Sequence, residues 1–386
     1  MNNQVGNMQF MQKINRLKVL NFVRKNPDCS RPIIAKETGL SLPSITNIVT
    51  HLSVLGYLRE CGTEDVLRVG RKSTLLRFSP EGKNFISVFL FDETVKIFIC
   101  DLSGKASSEY EFSKKGLSLS ETISLVCDKI QEITNEYGEK AFLAIGIATS
   151  GLVLKDGQFI MSSMFKWKSY NIKESIENIT NIPVYVENIS PVRALYHFRS
   201  NEKYNENTIF IDLENGIGAY QFYNGQLNHS ALGELGHTTV EPGGEECFCG
   251  NRGCLEAMCS PSRLLSLYEK ETGEKISISH LEELYLKNDE TAKSVIRNCA
   301  NYLGMGIANL ISLFNPSILV INTGDFKDCP SLIKEATEEL YRRAIPTLTQ
   351  NLKIEITHSS QKSVVFGMAL NLCDNVFSTD YPYDII

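Results

Sequence analysis

The chain has 386 residues, 42% hydrophobic and 22% charged, too long for one compact core and too apolar for a disordered polymer. No apolar run approaches the ~20 residues of a membrane helix, and the opening MNNQVGNMQFMQK lacks the apolar centre of a secretory signal, so a cytoplasmic protein is expected. The net charge of −6 is uneven: residues 1–80 hold 12 Lys and Arg against 5 Asp and Glu, a balance of +7 that leaves −13 elsewhere, and such a basic head points to a polyanion.

Three helices are predicted first. Ile14, Leu17, Leu20 and Val23 recur at helical spacing from about Lys13 to Lys25, and Asn26-Pro27-Asp28 ends the run. Ser30 is placed to cap a second helix through about Thr38, and Gly39 turns the chain. Ser41 caps a third, with Pro43 in its first turn and Ile45, Ile48, Val49, Leu52 and Leu55 as its apolar stripe. Two short strands, Tyr57–Glu60 and Leu75–Phe78, flank a polar segment carrying Arg68, Arg71 and Lys72. Three helices and a hairpin make a winged helix-turn-helix.

The polar face of the third helix shows Ser44, Thr46, Asn47, Thr50 and His51. Small polar side chains let a backbone approach base edges, and an Asn can pair with adenine in the major groove. Ser44, Thr46, Asn47 and Thr50 are therefore the expected DNA-reading residues, Ser44 and Asn47 above all. Arg68, Arg71 and Lys72 would meet phosphates or the minor groove from the wing.

Ser79-Pro80-Glu81-Gly82 reads as a boundary, giving a DNA-binding domain over 1–80 and a second domain over 81–386. Strand-like runs (Ile86–Phe91, Val95–Cys100, Ala144–Ala148, Val184–Val186, Thr208–Asp212, Ile318–Ile321, Leu352–Ile356) then alternate with helical stretches (Leu119–Glu136, Ser260–Lys270, Ala292–Phe314, Pro330–Arg343, Ser363–Val376), an α/β pattern.

Most of the 11 cysteines are scattered, as free buried thiols would be. The exception is Gly233-Glu234-Leu235-Gly236-His237 followed by Cys247-Phe248-Cys249-Gly250-Asn251-Arg252-Gly253-Cys254-Leu255-Glu256. One His and three Cys complete a tetrahedral zinc sphere, and a closed sphere makes the metal structural. His237, Cys247, Cys249 and Cys254 are the expected ligands; Cys259 is left out.

GELGH followed by CFCGNRGCLE resembles the signature of the ROK family, which groups sugar-responsive repressors with sugar kinases. Asp101-Leu102-Ser103-Gly104, Gly216-Ile217-Gly218-Ala219 and Gly304-Met305-Gly306-Ile307-Ala308-Asn309-Leu310 resemble further landmarks. The head resembles that of the family's xylose-repressor-like members. The resemblance implies a two-lobed actin/hexokinase-type (ASKHA) domain, zinc at the four ligands, and sugar hydroxyls met by Asn188, Glu234, His237 and Glu256. His237 would hold zinc with one ring nitrogen and sugar with the other.

Kinase members carry an Asp after the Asn as catalytic base; here Ile189 follows Asn188. The first phosphate loop reads Phe91-Asp92-Glu93-Thr94-Val95, Glu214 and Tyr220 interrupt the second, and Ile321-Asn322-Thr323-Gly324-Asp325 replaces the adenosine-side glycines. The expectation is a non-enzymatic, homodimeric or larger repressor of carbohydrate-metabolism genes. It would bind operator DNA and answer a monosaccharide effector, the head leaning toward xylose or glucose. The alternatives are an ATP-dependent sugar kinase, or a repressor answering a protein or phosphosugar.

Overall fold

The computed structural model describes residues 2–63, 73–154, 157–162, 168–199, 206–214, 216–223, 225–228 and 233–379. Helix α1 (Asn2–Lys25) starts well before Lys13. Met8, Phe10 and Met11 are exposed ahead of the buried Leu17, Leu20 and Val23, so apolar periodicity marks only the later part of the helix. Strand β1 (Cys29–Ser30) follows, then α2 (Arg31–Thr38), α3 (Leu42–Val54), β2 (Leu58–Thr63) and β3 (Thr74–Phe78). Ser30 precedes α2 but makes no side-chain cap bond; it pairs with Leu75 instead. Gly39, at φ +73°, donates its N–H to Ala35 and closes α2. Ser41 caps α3 by accepting from the Ser44 N–H at 3.3 Å, and Ile45, Val49 and Leu52 are fully buried beneath it. Arg68, Arg71 and Lys72 lie outside the described residues.

The first lobe contains β4 (Asn84–Leu90), β5 (Thr94–Asp101), β6 (Ala106–Ser113), α4 (Leu119–Tyr137), β7 (Phe142–Thr149), a small sheet of β8 (Leu152–Val153), β9 (Gln158–Met161) and β10 (Lys168–Asn171), then α5 (Ile172–Glu177), β11 (Val184–Asn188) and α6 (Ile189–Arg199). Its main sheet runs β11-β7-β4-β5-β6. The second lobe contains β12 (Thr208–Asp212), β13 (Gly218–Tyr223), β14 (Gln226–Leu227), α7 (Leu255–Cys259), α8 (Pro261–Thr272), α9 (Ile278–Leu286), α10 (Glu290–Phe314), β15 (Ile318–Asn322), α11 (Pro330–Arg343), α12 (Pro346–Thr349) and β16 (Lys353–Thr357). Its sheet runs β14-β13-β12-β15-β16. Both sheets thus join a parallel set to an antiparallel meander, the two-lobed ASKHA arrangement.

The last helix, α13 (Gln361–Val376), returns to the first lobe. A Cβ at Gly367 would stand 2.0 Å from the Val192 carbonyl oxygen, so glycine is what lets α13 lie against the main chain of α6. The end of α13 also carries the head. Phe377 meets the rings of Tyr57 and Phe78 edge-on at 5.7 and 6.3 Å, its carbonyl accepts from Asn21 at 2.8 Å, and Asp374 pairs with Arg24 of α1. Leu20, Ile45 and Leu76 of the head share one continuous apolar cluster with Met368, Leu372 and Phe377.

Candidate metal centre, effector cleft and nucleic-acid face

The donor atoms of His237, Cys247, Cys249 and Cys254 all lie within 4.8 Å of one another. His237 Nδ1 is 3.6 Å from Cys247 Sγ, and Cys249 Sγ is 3.7 Å from Cys254 Sγ. A tetrahedral zinc with bonds of about 2.3 Å to sulfur sets sulfur–sulfur edges near about 3.8 Å, so the geometry fits. Burial pushes the Cys247 thiol up to about 12; three thiolates can share this space only around a cation. Tight turns make the loop possible: a Cβ at Gly253, whose φ is +70°, would lie 1.7 Å from the Glu241 oxygen. Cys259 is fully buried at the end of α7 and outside the cluster.

With Nδ1 turned to the thiols, His237 Nε2 stands 3.7 Å from Glu234 Oε2. The Phe248 ring packs edge-on against the imidazole at 5.0 Å. Burial raises the Glu234 carboxyl above its ordinary range, with His237 opposing and Glu256 adding to the shift. Glu256 Oε2 accepts from the Ile217 N–H at 3.1 Å. A Cβ at Gly236 would come within 3.0 Å of that oxygen and one at Gly216 within 2.9 Å, so both glycines are space for the carboxylate. Glu234, His237 and Glu256 thus form one acidic group beside the metal loop.

Asn188 and Glu234 line one cleft of about 690 Å3, whose lining includes neither His237 nor Glu256. The Asn188 amide is held inside its own lobe, donating to Gly151 O at 2.7 Å and accepting from the Ser190 N–H at 2.8 Å. Glu187 lines the same cleft, and burial pushes its carboxyl up to about 7. Asn21, Arg24 and Lys25 of α1 line the same cleft, so one space joins Asn188 and Glu234 to the head. Sequence reading missed Glu187 and this contribution of α1; nothing in a linear sequence brings residue 24 to residue 188.

On the head, Ser44, Thr46, Asn47 and Thr50 are all exposed along α3, but not equally available. The Ser44 hydroxyl is 2.8 Å from that of Ser41. Thr46 and Thr50 donate back to the carbonyls of Leu42 and Thr46 at 3.0 and 2.9 Å, which commits both hydroxyl protons to the helix backbone. Asn47 has no hydrogen-bond partner among the described residues. His51 is half-buried rather than on the open face, and burial lowers its pKa.

The ROK family profile matches residues 92–374. The chain belongs to the ROK family. It is 25% identical over 378 residues to the xylose repressor of Bacillus subtilis (strain 168), covering 96% of this chain and 98% of that one. It is 24% identical to the DNA-binding transcriptional repressor Mlc of Escherichia coli (strain K12) over 95% of each. Among solved structures, a ROK family transcriptional regulator described as a homolog of E. coli Mlc matches at TM-score 0.78 and 24% identity, covering 94% of this chain and 96% of that one. A ROK family glucokinase from Streptomyces griseus, in complex with glucose and AMPPNP, matches at TM-score 0.60 and 22% identity over 75% of this chain and 98% of its own.

Ile189, which follows Asn188, is 2% exposed and belongs to the apolar cluster with Phe89, Val192 and Val364. Arg193 of α6 is buried between the lobes, 3.0 Å from Asp212 and 2.8 Å from Glu214. Asn322 donates to Asp212 at 2.6 Å. Glu214 presses so closely on Gly324 that a Cβ there would meet its Cβ at 2.4 Å. The first loop is a tight hairpin closed by Phe91 N–H donating to Thr94 O at 2.9 Å.

Proposed function

We propose that this ROK protein is a sugar-responsive, DNA-binding transcriptional repressor and not a phosphotransferase. The observation that carries the reading is the shared cleft: Asn188 and Glu234 line it together with Asn21, Arg24 and Lys25 of α1. A ligand there alters the seat of the head directly, which is the coupling a repressor needs. In this reading residues 1–80 bind operator DNA through Asn47 and its neighbours on α3, with Arg68, Arg71 and Lys72 on phosphates. Residues 81–386 bind a monosaccharide through Asn188, Glu234, His237 and Glu256. Zinc on His237, Cys247, Cys249 and Cys254 would supply no chemistry beyond holding the loop and fixing the His237 tautomer.

The chemistry of the residues supports this assignment. Carboxylates and an amide facing one cleft suit paired sugar hydroxyls. The kinase alternative meets an isoleucine where a base is required and a carboxylate, Glu214, where phosphate would need to approach. A homodimer on a two-fold operator would place two such recognition helices in successive major grooves. None of the helices among the described residues is long and apolar enough to cross a membrane, and a cytoplasmic site of action is proposed.

The test is to select bound sequences from random duplex DNA with the full chain. The complex is then titrated with xylose, glucose and other monosaccharides. At least one should weaken or strengthen operator binding on the order of tenfold, within the usual range of allosteric coupling. DNA binding that no monosaccharide alters would overturn the effector assignment; no DNA binding would overturn the repressor.

A further inference from the structure

Asp374 joins three elements at the seam between head and body. It lies in the last turn of α13, and its two carboxylate oxygens serve different arginines. Oδ1 accepts from Nη2 of Arg24, at the end of α1. Oδ2 accepts from Nη2 of Arg199, the last residue of α6, at 3.4 Å. The two ends of this bridge are unequal. The Arg24 side chain is 14% exposed and lies over the Phe377 ring at 5.8 Å. The Arg199 side chain is 32% exposed, and its contact is longer than a good charge-assisted hydrogen bond. Arg24 Nη1 is buried with no hydrogen-bond partner among the described residues. A guanidinium fork can take both oxygens of one carboxylate, and here the second oxygen is spent on Arg199.

α6 connects that oxygen to the cleft. Its Pro191, Leu195 and Arg199, four residues apart, form one stripe of the cleft lining. Asn188 immediately precedes the helix and accepts from the Ser190 N–H at 2.8 Å. The stripe therefore starts beside a proposed hydroxyl-binding residue and ends at Asp374, about 16 Å away at a rise of about 1.5 Å per residue. The rest of the helix is fixed. Tyr196 meets the Phe366 ring edge-on at 5.5 Å, and Arg193 ties the helix to the second lobe through Asp212 and Glu214.

We propose that Asp374 is the positioning residue that passes the state of the cleft to the head, Arg199 and the idle arm of Arg24 competing for its Oδ2. This rests on the reading of the cleft as the effector site. A ligand along the α6 stripe that draws Arg199 away frees Oδ2, and Arg24 then takes both oxygens and holds α1 more firmly. A ligand that presses Arg199 onto Asp374 does the reverse. In either case the ligand's differential contact is with α6, and the head responds without being touched.

The test uses the full-length chain and the operator selected from random DNA. Arg199→Met and Arg24→Met each keep an apolar stem and remove the guanidinium. Competition makes their effects opposite. Without sugar, Arg199→Met should slow amide hydrogen exchange in α1 and shift operator affinity one way. Arg24→Met should speed that exchange and shift affinity the other way, each by about threefold or more. Should Arg24→Met fail to fold, Arg24→Lys, which keeps the charge but loses the fork, should act in the same direction. Asp374→Asn removes the group competed for, so adding Arg199→Met to it should change neither quantity by more than about 1.5-fold. The largest operator shift that D-xylose, D-glucose, D-galactose or D-mannose produces in the parent should shrink by about threefold or more in Asp374→Asn. Arginine variants that alter exchange in the same direction would make the seam a plain structural contact and overturn the proposal. So would an Arg199→Met effect that survives Asp374→Asn, or an undiminished sugar response in Asp374→Asn. If the chain selects no DNA, or no sugar shifts its operator binding, the repressor or effector reading falls, and the exchange measurements still decide the competition.

Discussion

His237 turns its Nε2 toward Glu234, 3.7 Å from Oε2, while its Nδ1 belongs to the thiol cluster. One imidazole therefore connects the metal loop to the cleft. A ring held at Nδ1 by a cation keeps its proton on Nε2, where it can donate to a carboxylate or a hydroxyl. In the proposed reading, the loop would thus set the hydrogen-bonding character of the effector site.

Protein purified without added metal should carry about one equivalent of zinc per chain. Cys247→Ser should lose it and also lose the effector response, since His237 is then free to rotate. Elemental analysis and operator-release titration check the two halves. Metal-free protein in which the three thiols react freely while the fold and the effector response persist would contradict the assignment.

Asn47→Ala should reduce discrimination at one base pair by about 1–3 kcal/mol and leave non-specific binding intact. Arg71→Ala should weaken all sequences alike and flatten the salt dependence by about one unit of slope. The two effects separate in competition titrations at several salt concentrations. An Arg71→Ala protein altered only in sequence preference would reverse the roles.

The head was legible in the sequence because its signals are local: Ser41, Pro43 and Gly39 fix helix ends without reference to the rest of the chain. The cluster of His237, Cys247, Cys249 and Cys254 was legible for the same reason, four candidate metal ligands within 18 residues of chain. Several body elements were not. β6 alternates exposed and half-buried positions with polar side chains at a sheet edge, leaving no apolar period to read. α6 opens with Ile189-Ser190-Pro191 and is buried on several faces, including Arg193; its helical signal is masked because it lies between the lobes and α13. The seating of α1 on Asp374 and Phe377 is a product of topology. It joins residues hundreds of positions apart, and composition and spacing carry no trace of it.

Ile189→Asp should not create a kinase. Position 189 lies inside an apolar cluster, so a carboxylate there would be protonated or disruptive rather than a poised base. Arg193 and Glu214 would still be paired with each other between the lobes. A coupled ATP-consumption assay over a sugar panel should read background for parent and variant alike, with the variant's unfolding midpoint lowered. Turnover near about 1 s⁻¹ in the parent would overturn the non-enzymatic reading.

Glu187 gives a pH signature. Burial holds its carboxyl at about 7 in the folded protein, against about 4.3 in an unfolded chain. The folded state therefore keeps a proton that the unfolded state has released, and folding is favoured less as pH climbs through that window. Parent stability should fall between about pH 4.3 and 7 from this group. Glu187→Gln should remove that fall and be more stable than the parent at pH 8. Urea midpoints at pH 5 and pH 8 provide the check; parallel pH dependence in parent and variant would mean that Glu187 titrates normally.

Glu256→Gln should abolish or strongly weaken the effector response while sparing zinc and DNA binding. Glu256 follows the zinc ligand Cys254 by two positions on α7, so the metal loop fixes its backbone. One carboxylate oxygen is already committed to the Ile217 N–H and pressed against Gly216 and Gly236. An amide must turn its oxygen to that N–H and present its NH2 to the sugar, where the carboxylate would have accepted a hydroxyl proton. A mispaired buried group of this kind costs about 1–3 kcal/mol, or about 5- to 150-fold in affinity. The shape of the side chain is unchanged, so the loop has no reason to open. Effector titrations of the operator complex should therefore shift by that factor, with metal content and sugar-free operator affinity equal to the parent's. Loss of zinc or of DNA binding would make Glu256 a structural residue, and an unchanged response would move the sugar away from it.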